Sequence, residues 1–500
     1  MVFISVLIPI LAGIVLLALP EKVFKNRKQL LIMTGMSLII SAVFALLVIC
    51  GVTQSTFTCG ELVDGITVTF TVDKLGRLFA AIATLVIVLA GFFSFSYMQH
   101  EKHEKRYYGY YLITYGVLLG LDFSGNLITM YLFYELMTLV SFPLVLHNES
   151  REAIMAGLKY LFYSFCGAYM ALFGIYYFAK YLDTMSFTLG GSLNAEAVMA
   201  AGNGGFALVV VFLMILGFGV KAGLFPMHAW LPTAHPVAPA PASAVLSGII
   251  VKGGVLAIIR VVYYCIGADF LQGTWVQTVW MILTLITILM GSALAYKEKV
   301  LKKRLAYSTV SNLSYILFGL ALLNPIGMTG SLLHVVYHAV IKSTLFLCAG
   351  AVICLTGKTK IKELTGIGKR LPLILGCFTL ASLALIGIPP TSGVVSKWYL
   401  AMGALDSGIP VFSWLGPVVL LISALLTAGY LLSVTIKGFL PVEDELVLQE
   451  EGNSRVSAFL ILPIVILAAL TLLLGLFPSA LIKYCSEIAA GLFGITRGGV

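Results

Sequence analysis

The stretch Gly217-Phe218-Gly219-Val220-Lys221-Ala222-Gly223-Leu224-Phe225-Pro226 decides the fold class of this chain. It closes an apolar run that begins near residue 204. A lysine sits there among glycines and aliphatic residues just ahead of a proline, and Pro232, Pro236, Pro239 and Pro241 follow. Proline removes a helix hydrogen bond and its ring clashes with the preceding turn, so an apolar helix is expected to break here. Backbone broken at membrane depth is tolerated only where it is buried in protein or lines a cavity. A second interruption of this kind occurs at Gly387-Ile388-Pro389-Pro390-Thr391-Ser392-Gly393, with Lys397 just beyond. Interrupted segments at corresponding places in two halves of a chain point to an inverted repeat with its ion sites at the breaks. Proline kinks without a functional role are the alternative.

Working outward, the composition places both breaks in a membrane. Of 500 residues, 60% are hydrophobic and 11% charged, against about 25% charged in soluble domains. Apolar runs of roughly 20 residues, enough to span a bilayer, recur along the chain. They begin near residues 2, 30, 74, 107, 125, 155, 204, 243, 274, 305, 329, 372, 411 and 456, which predicts about fourteen transmembrane helices in an all-α polytopic membrane protein. The first run has no basic stretch ahead of it and no convincing cleavage site, so it is expected to stay as a helix. The longest polar stretches fall at 52–72, 181–204 and 438–455. A soluble catalytic domain is excluded. The eight cysteines are scattered singly, without a CxxC pair or a Cys/His ligand array, so no cofactor and no metal site is expected.

The net charge of +9 reads as topology rather than as a nucleic-acid surface. Most basic residues cluster in the loops after odd-numbered segments: Lys22, Lys25, Arg27 and Lys28; Lys102, Lys105 and Arg106; Arg151 and Lys159; Lys297 to Arg304; Lys358 to Arg370; and Lys437 and Arg455. The positive-inside rule puts those loops in the cytoplasm and both termini on the extracytoplasmic side.

Once loop and interfacial residues such as Lys74, Arg77 and Arg497 are set aside, the bases left inside apolar runs are Lys221, Lys252, Arg260, Lys342 and Lys397. Glu135 is the acid in mid-run, while Asp122 and Glu298 read as helix-end residues. A charge at mid-bilayer costs from about 2.5 to over 10 kcal/mol, so such residues face a bundle interior or a wet cavity and mark ion paths. Small residues flank Lys221 and Lys252 (Gly219, Ala222, Gly223; Gly253, Gly254), which permits close helix approach. A structural Glu–Lys pair or a snorkelling lysine is the bland reading. His334, His338 and Lys342 are spaced i, i+4, i+8 and share one helix face. Histidine titrates near neutral pH and can relay protons. HxxxH could also hold a metal or haem, but no third ligand is obvious.

These residues resemble the antiporter-like subunits of respiratory complex I, Mrp-type sodium/proton antiporters and membrane-bound group 4 [NiFe] hydrogenases. The resemblance is carried by Lys221 to Pro232 and Ala234 to Ala244, and is supported by Arg304 to Thr309, His338 to Leu347 and Gly387 through Trp398. It covers roughly residues 70–440. It implies inverted five-helix repeats at helices 4–8 and 9–13 with helices 7 and 12 broken, hence N-terminal helices at 1–106, repeats at 107–266 and 272–440, and a last helix with a short tail at 455–500. It also implies roles. Glu135 matches the helix-5 glutamate and Lys221 the helix-7 lysine paired with it. Lys252 matches the bridging position on helix 8, where some relatives carry histidine. His334, His338 and Lys342 match the helix-11 relay. Lys397 matches the helix-12 position, glutamate in some members. The chain is similar to medium-length members, without a lateral helix or extra domain.

The function expected is a proton- or Na+/H+-translocating subunit of a multisubunit complex in a prokaryotic plasma membrane, with other membrane subunits as partners. Whether it serves an oxidoreductase or an antiporter stays open at this point. A non-pumping membrane anchor and a stand-alone carrier are the alternatives. An enzyme with redox chemistry of its own lacks any supporting motif here.

Overall fold

The computed structural model describes residues 1–51, 56–63, 66–440 and 456–494. Arg455, Arg497 and most of the 438–455 polar stretch lie outside them. The elements run α1 Val2–Ala18, α2 Arg27–Ile49, β1 Thr56–Val63, β2 Ile66–Thr71, α3 Lys74–Tyr97, α4 Glu104–Asp122, α5 Leu127–Val145, α6 Arg151–Phe178, α7 Ala195–Ala200, α8 Gly204–Gly219, α9 Leu231–Val237, α10 Ala240–Val245 and α11 Lys252–Ile259. They continue with α12 Ala268–Leu271, α13 Trp275–Lys297, α14 Leu301–Ala321, α15 Pro325–Thr356, α16 Ile367–Arg370, α17 Pro372–Ile386, α18 Ser392–Asp406, α19 Phe412–Phe439, α20 Ala458–Leu476 and α21 Ser479–Leu492. Every apolar segment expected from the sequence falls on helix. Among the described residues nine helices are long and apolar enough to cross a membrane, and α1, α8 and α17 are shorter apolar helices.

The chain is mostly helical, as expected, with one short hairpin among the described residues. The polar stretch at 52–72 contains an antiparallel hairpin, β1 on β2, with Phe57 opposite Phe70. Alternating Thr67, Thr69 and Thr71 with Val68 and Phe70 is a strand pattern hidden beside a helix start.

The two ends of the bundle are distinct. Loops carrying the basic clusters touch one another. Arg27 pairs with Glu104 at 2.8 Å, His147 bonds the Lys102 carbonyl at 2.8 Å, Asn148 the Val237 carbonyl, and Gly366 N–H the Lys437 carbonyl. At the opposite end the hairpin meets the α4–α5 turn, where Gly125 N–H donates to the Thr69 carbonyl at 2.8 Å, and the start of α5 meets the α6–α7 loop, where Leu127 N–H donates to the Met185 carbonyl. The helices therefore alternate in direction as the charge pattern requires.

Span Ala240–Ile266, which joins α10 and α11 through π-helical turns, is buried throughout, and α15 is mostly so. These two helices form the centre and carry Lys252, His334, His338 and Lys342. Outer helices α2, α19 and α20 leave much of their surface open, and their large exposed apolar side chains include Ile39, Leu46, Trp414, Leu421 and Phe459, as a lipid-facing wall requires.

Candidate functional site

Both predicted breaks are present, and each exposes backbone that the structure then satisfies. Helix α8 stops at Gly219 and α9 resumes at Leu231. Between them the Val220 carbonyl accepts from the buried Trp230 indole at 2.8 Å, and Phe225 N–H donates to Thr287 Oγ1 at 3.0 Å. Gly223 sits at φ +70°, a left-handed conformation that favours glycine. Helix α17 stops at Ile386 and α18 begins at Ser392. Here the freed carbonyls of Leu385 and Ile386 accept from Lys397 Nζ at 2.6 and 2.8 Å. Pro226, Pro389 and Pro390 all lie inside the interruptions.

Each break sets a lysine at the centre of the bundle. Lys221 is fully buried. Its ammonium lies 4.6 Å from the centre of the Tyr134 ring and bonds Thr138 Oγ1. The sequence pairs it with Glu135. In the structure Glu135 is within electrostatic reach, yet no ion pair within 4 Å joins the two among the described residues. One carboxylate oxygen of Glu135 is buried without a partner. Thr138 stands one turn beyond Glu135 on α5 and takes the contact instead.

Lys252 follows from α11. Gly254 lets that helix lie directly on the break, since a Cβ there would meet the Phe218 carbonyl oxygen at 2.5 Å and Lys221 Cβ at 3.0 Å. The small residues flanking the lysines serve this close approach. Lys252 Nζ donates to His338 Nδ1 at 3.0 Å and to the Ser247 carbonyl at 3.3 Å. His338 stacks on His334 with ring centres 5.8 Å apart. His334 Nδ1 bonds Ser396 Oγ at 2.9 Å and stacks on Tyr315 at 5.5 Å. Lys397, next to Ser396, lies over the other side of the same contact, 5.3 Å from the Tyr315 ring centre.

The structure thus brings Lys252, His338, His334 and Lys397 into one succession. It separates Lys342, which bonds Ser308 Oγ at 2.5 Å and the Leu305 carbonyl at 3.0 Å on α14. Along α15, His334 lies toward the end nearer Lys397 and Lys342 about 12 Å away toward the basic end. Lys342 is a side branch rather than a step between His338 and Lys397. Arg260, the fifth buried base, stands apart, held by Asp73 through contacts of 2.5 and 2.8 Å.

Thr138, Ser396 and Tyr315 escape sequence reasoning because hydroxyls are ordinary on such helices.

A family profile described as NADH:quinone oxidoreductase/Mrp antiporter, TM matches residues 124–427. The chain belongs to this family. A second profile, the N-terminus of complex I chain 5, matches residues 63–108. Among relatives, the chain is 32% identical to NADH-quinone oxidoreductase subunit N of Desulforudis audaxviator, over 81% of this chain and 82% of that one. It is 27% identical to a Na(+)/H(+) antiporter subunit of Bacillus subtilis, over 98% and 97%. Among solved structures, a chain of the Mrp complex from Dietzia sp. DQ12-45-1b superposes with TM-score 0.83 at 23% identity, covering 99% of this chain and 98% of that one. A chain of respiratory complex I from Thermus thermophilus superposes with TM-score 0.80 at 23% identity over both full lengths. The membrane fold is therefore the one these family members share.

Proposed function

We propose that this chain is a proton- or sodium/proton-translocating subunit of a multisubunit membrane complex. The observation that carries the reading is the buried succession from Lys252 Nζ through His338 and His334 to Ser396 and Lys397, in which side chains that can hold a proton meet at 3.0 Å, 5.8 Å ring to ring, and 2.9 Å. A non-pumping anchor has no use for bases that cost several kcal/mol each to bury. Glu135 and Lys221 form the first station. A carboxylate near a buried ammonium stabilises its charge. When Glu135 is drawn away, the Lys221 proton becomes free to pass to Lys252 and on toward Lys397. One elementary charge against 100 mV takes about 2.3 kcal/mol. At an effective dielectric of 20, displacing a carboxylate from about 5 to 10 Å removes about 1.7 kcal/mol of attraction. The first station therefore acts on the scale of a membrane potential.

In this reading residues 107–266 and 272–440 are inverted repeats, and the breaks before Leu231 and Ser392 are their equivalent points. The basic end faces the cytoplasm of a prokaryotic cell, and both termini lie outside the plasma membrane. The relatives are named as subunits of quinone oxidoreductases and of sodium/proton antiporters, which supports a partner-dependent role over a stand-alone carrier.

The test is Glu135→Gln in native membrane vesicles holding the whole assembly, energised by NADH or by a sodium gradient, with a quenching dye reading the pH gradient. Gradient formation should fall at least tenfold while the subunit is retained. An undiminished gradient overturns the reading. The chains that co-purify identify the host complex.

A further inference from the structure

The two lysines at the breaks keep different company. An ammonium has three N–H donors and accepts nothing. At the second break Lys397 comes from the second half of the broken helix and folds back, so that Nζ donates to the carbonyls of Leu385 and Ile386 at 2.6 and 2.8 Å. Among the described residues no carboxylate pairs with it within 4 Å. Beside the ammonium lies the face of the Tyr315 ring on α14, its centre 5.3 Å from Nζ. Within about 6 Å of its centre, an aromatic face attracts a cation, and more strongly where water is excluded. Tyr315 is about 1% exposed. Its ring is held in place, since the hydroxyl donates to the Leu420 carbonyl on α19 at 3.0 Å and the ring stacks on His334 with 14° between the planes.

The first break repeats the arrangement with different parts. Lys221 comes from the first half of its broken helix, just after α8. Its Nζ lies over the Tyr134 ring at 4.6 Å and over the Tyr160 ring at 5.9 Å, and bonds Thr138. Tyr134 is buried and its hydroxyl has no partner, so the ring is the part of this tyrosine that serves the lysine. Phe218, one turn before Lys221, packs edge-to-face on the same ring with centres 5.0 Å apart, which fixes it beneath the ammonium. In the repeats proposed above, α5 and α14 are the second helix of each. The same helix therefore turns a tyrosine face to the break in both halves, although the two lysines come from opposite halves of their broken helices. Packing alone would be served by leucine or methionine at either place.

We propose that Tyr134 and Tyr315 are positioning residues whose ring faces hold the ammonium forms of Lys221 and Lys397, so that each break keeps a proton until the next group along the line takes it. The rings take up no proton themselves. A proton reaching Lys397 from the His334 side converts its amine to an ammonium. Two of the N–H bonds then go to the freed carbonyls and the third turns to the ring. When the ammonium gives up a proton, the neutral amine left behind has lost that attraction. Lys221 also has Glu135 and a second ring within reach, whereas Lys397 has two carbonyls and one ring. The ring therefore counts for more at the second break.

This inference rests on the proton-translocation reading, and the experiment separates the two. The initial rate of pH-gradient formation is measured in native vesicles holding the full assembly, per amount of assembled complex. Lys252→Met reports on translocation itself, and no loss there overturns both. Given that loss, Tyr315→Leu should lower the rate by about fivefold or more. Tyr315→Phe keeps the ring face, drops the hydroxyl and should recover at least half of what leucine loses. A leucine variant within twofold of wild type overturns the proposal and leaves the translocation reading standing. A phenylalanine variant no better than leucine assigns the effect to the bond with Leu420 and overturns it as well. A readout that packing cannot move comes from placing 4-fluoro-, 3,5-difluoro- and 3,4,5-trifluorophenylalanine at position 315. Fluorine draws electron density from the ring face with little change of shape, which weakens the hold on a cation. The rate should fall stepwise, with the trifluoro form about threefold or more below Tyr315→Phe. A trifluoro rate within 1.5-fold of Tyr315→Phe overturns the proposal. The same series at position 134 should fall less steeply, and a flat series there overturns the proposal for Lys221.

Discussion

Replacing Lys252 with methionine tests the centre of the line most directly. Lys252 is about 1% exposed, and its ammonium is the group that bridges from the Lys221 break to α15 through the 3.0 Å contact with His338. Methionine fills nearly the same volume, so helix packing around Gly253 and Gly254 should survive. What is lost is one hydrogen bond between ionisable groups, worth about 1.5–3 kcal/mol, and with it the intermediate resting place for a proton. If that energy is lost from the state in which the proton sits between Lys221 and His338, each 1.36 kcal/mol slows passage tenfold, and the rate falls by about 10- to 150-fold. Lys252→His restores a titratable ring at the same place and should recover part of the rate, whereas Lys252→Arg holds a fixed charge that gives up no proton near neutral pH and should not. The assay is the initial rate of pH-gradient formation in vesicles, normalised to the amount of assembled complex. A methionine variant that keeps more than half the wild-type rate, or an arginine variant that outperforms the histidine one, would refute the argument.

Other consequences follow from the supports of the site. Trp230→Phe keeps a ring packed against Tyr160, where the native ring centres are 4.6 Å apart, but strips the donor from the Val220 carbonyl at the break. The thermal midpoint of the purified assembly should fall by the equivalent of about 1–3 kcal/mol, and an unchanged midpoint would show the cap to be idle. Arg260→Gln takes the guanidinium from the half-buried Asp73, and the thermal midpoint should fall by the equivalent of about 1–3 kcal/mol. Adding Asp73→Asn should recover part of the midpoint, and a double variant no better than the single one contradicts the pairing argument. His147, in the turn after α5, is held down to about 4 by burial first and by the neighbouring Arg106 second. A neutral histidine in the fold contributes stability that is complete above the unfolded value near 6.5 and is lost as pH falls from there toward 4. The loss amounts to about 1.4 kcal/mol per unit. Amide exchange in residues 146–150, corrected for intrinsic rates, should accelerate between pH 7 and 5, and His147→Gln should abolish that acceleration.

Much of this architecture is legible in the sequence because the membrane restricts what a backbone can do. A lysine beside Gly223 and Pro226 inside an apolar run has few structural solutions, and a broken helix against a buried wall is the one observed. The spacing of His334, His338 and Lys342 places them on one face of α15, as found. The hairpin at 56–71 was lost in a polar stretch because period-two alternation over so few residues is weak beside strong helical segments. Partners are harder to read than positions. Glu135 and Lys221 look paired on charge alone, but the contact falls to Thr138, one turn further along α5, because the lysine approaches from the break at the height of that residue. Nothing in the sequence fixes that height.

The same reasoning explains why Lys342 could not be ordered from spacing. Residues at i, i+4 and i+8 share a face yet stand at different depths, and only the neighbouring helices decide which of them meets Lys252. Here α11 meets α15 at His338, α18 reaches His334 through Ser396, and α14 takes Lys342 with Ser308. The sign of the charges then limits how the line can be occupied. Lys221, Lys252 and Lys342 are buried and Lys397 is half-buried, and Glu135 is the acid within electrostatic reach of the first. Two like charges 10 Å apart repel by about 1.7 kcal/mol at an effective dielectric of 20, and each also bears the cost of burial. Four ammonium groups cannot all be charged together beside a single carboxylate, so the line must hold fewer protons than it has places. In the proposed relay, that vacancy lets a proton entering at one end displace another further along, and a variant that adds a fixed positive charge anywhere on the line should slow every step of it.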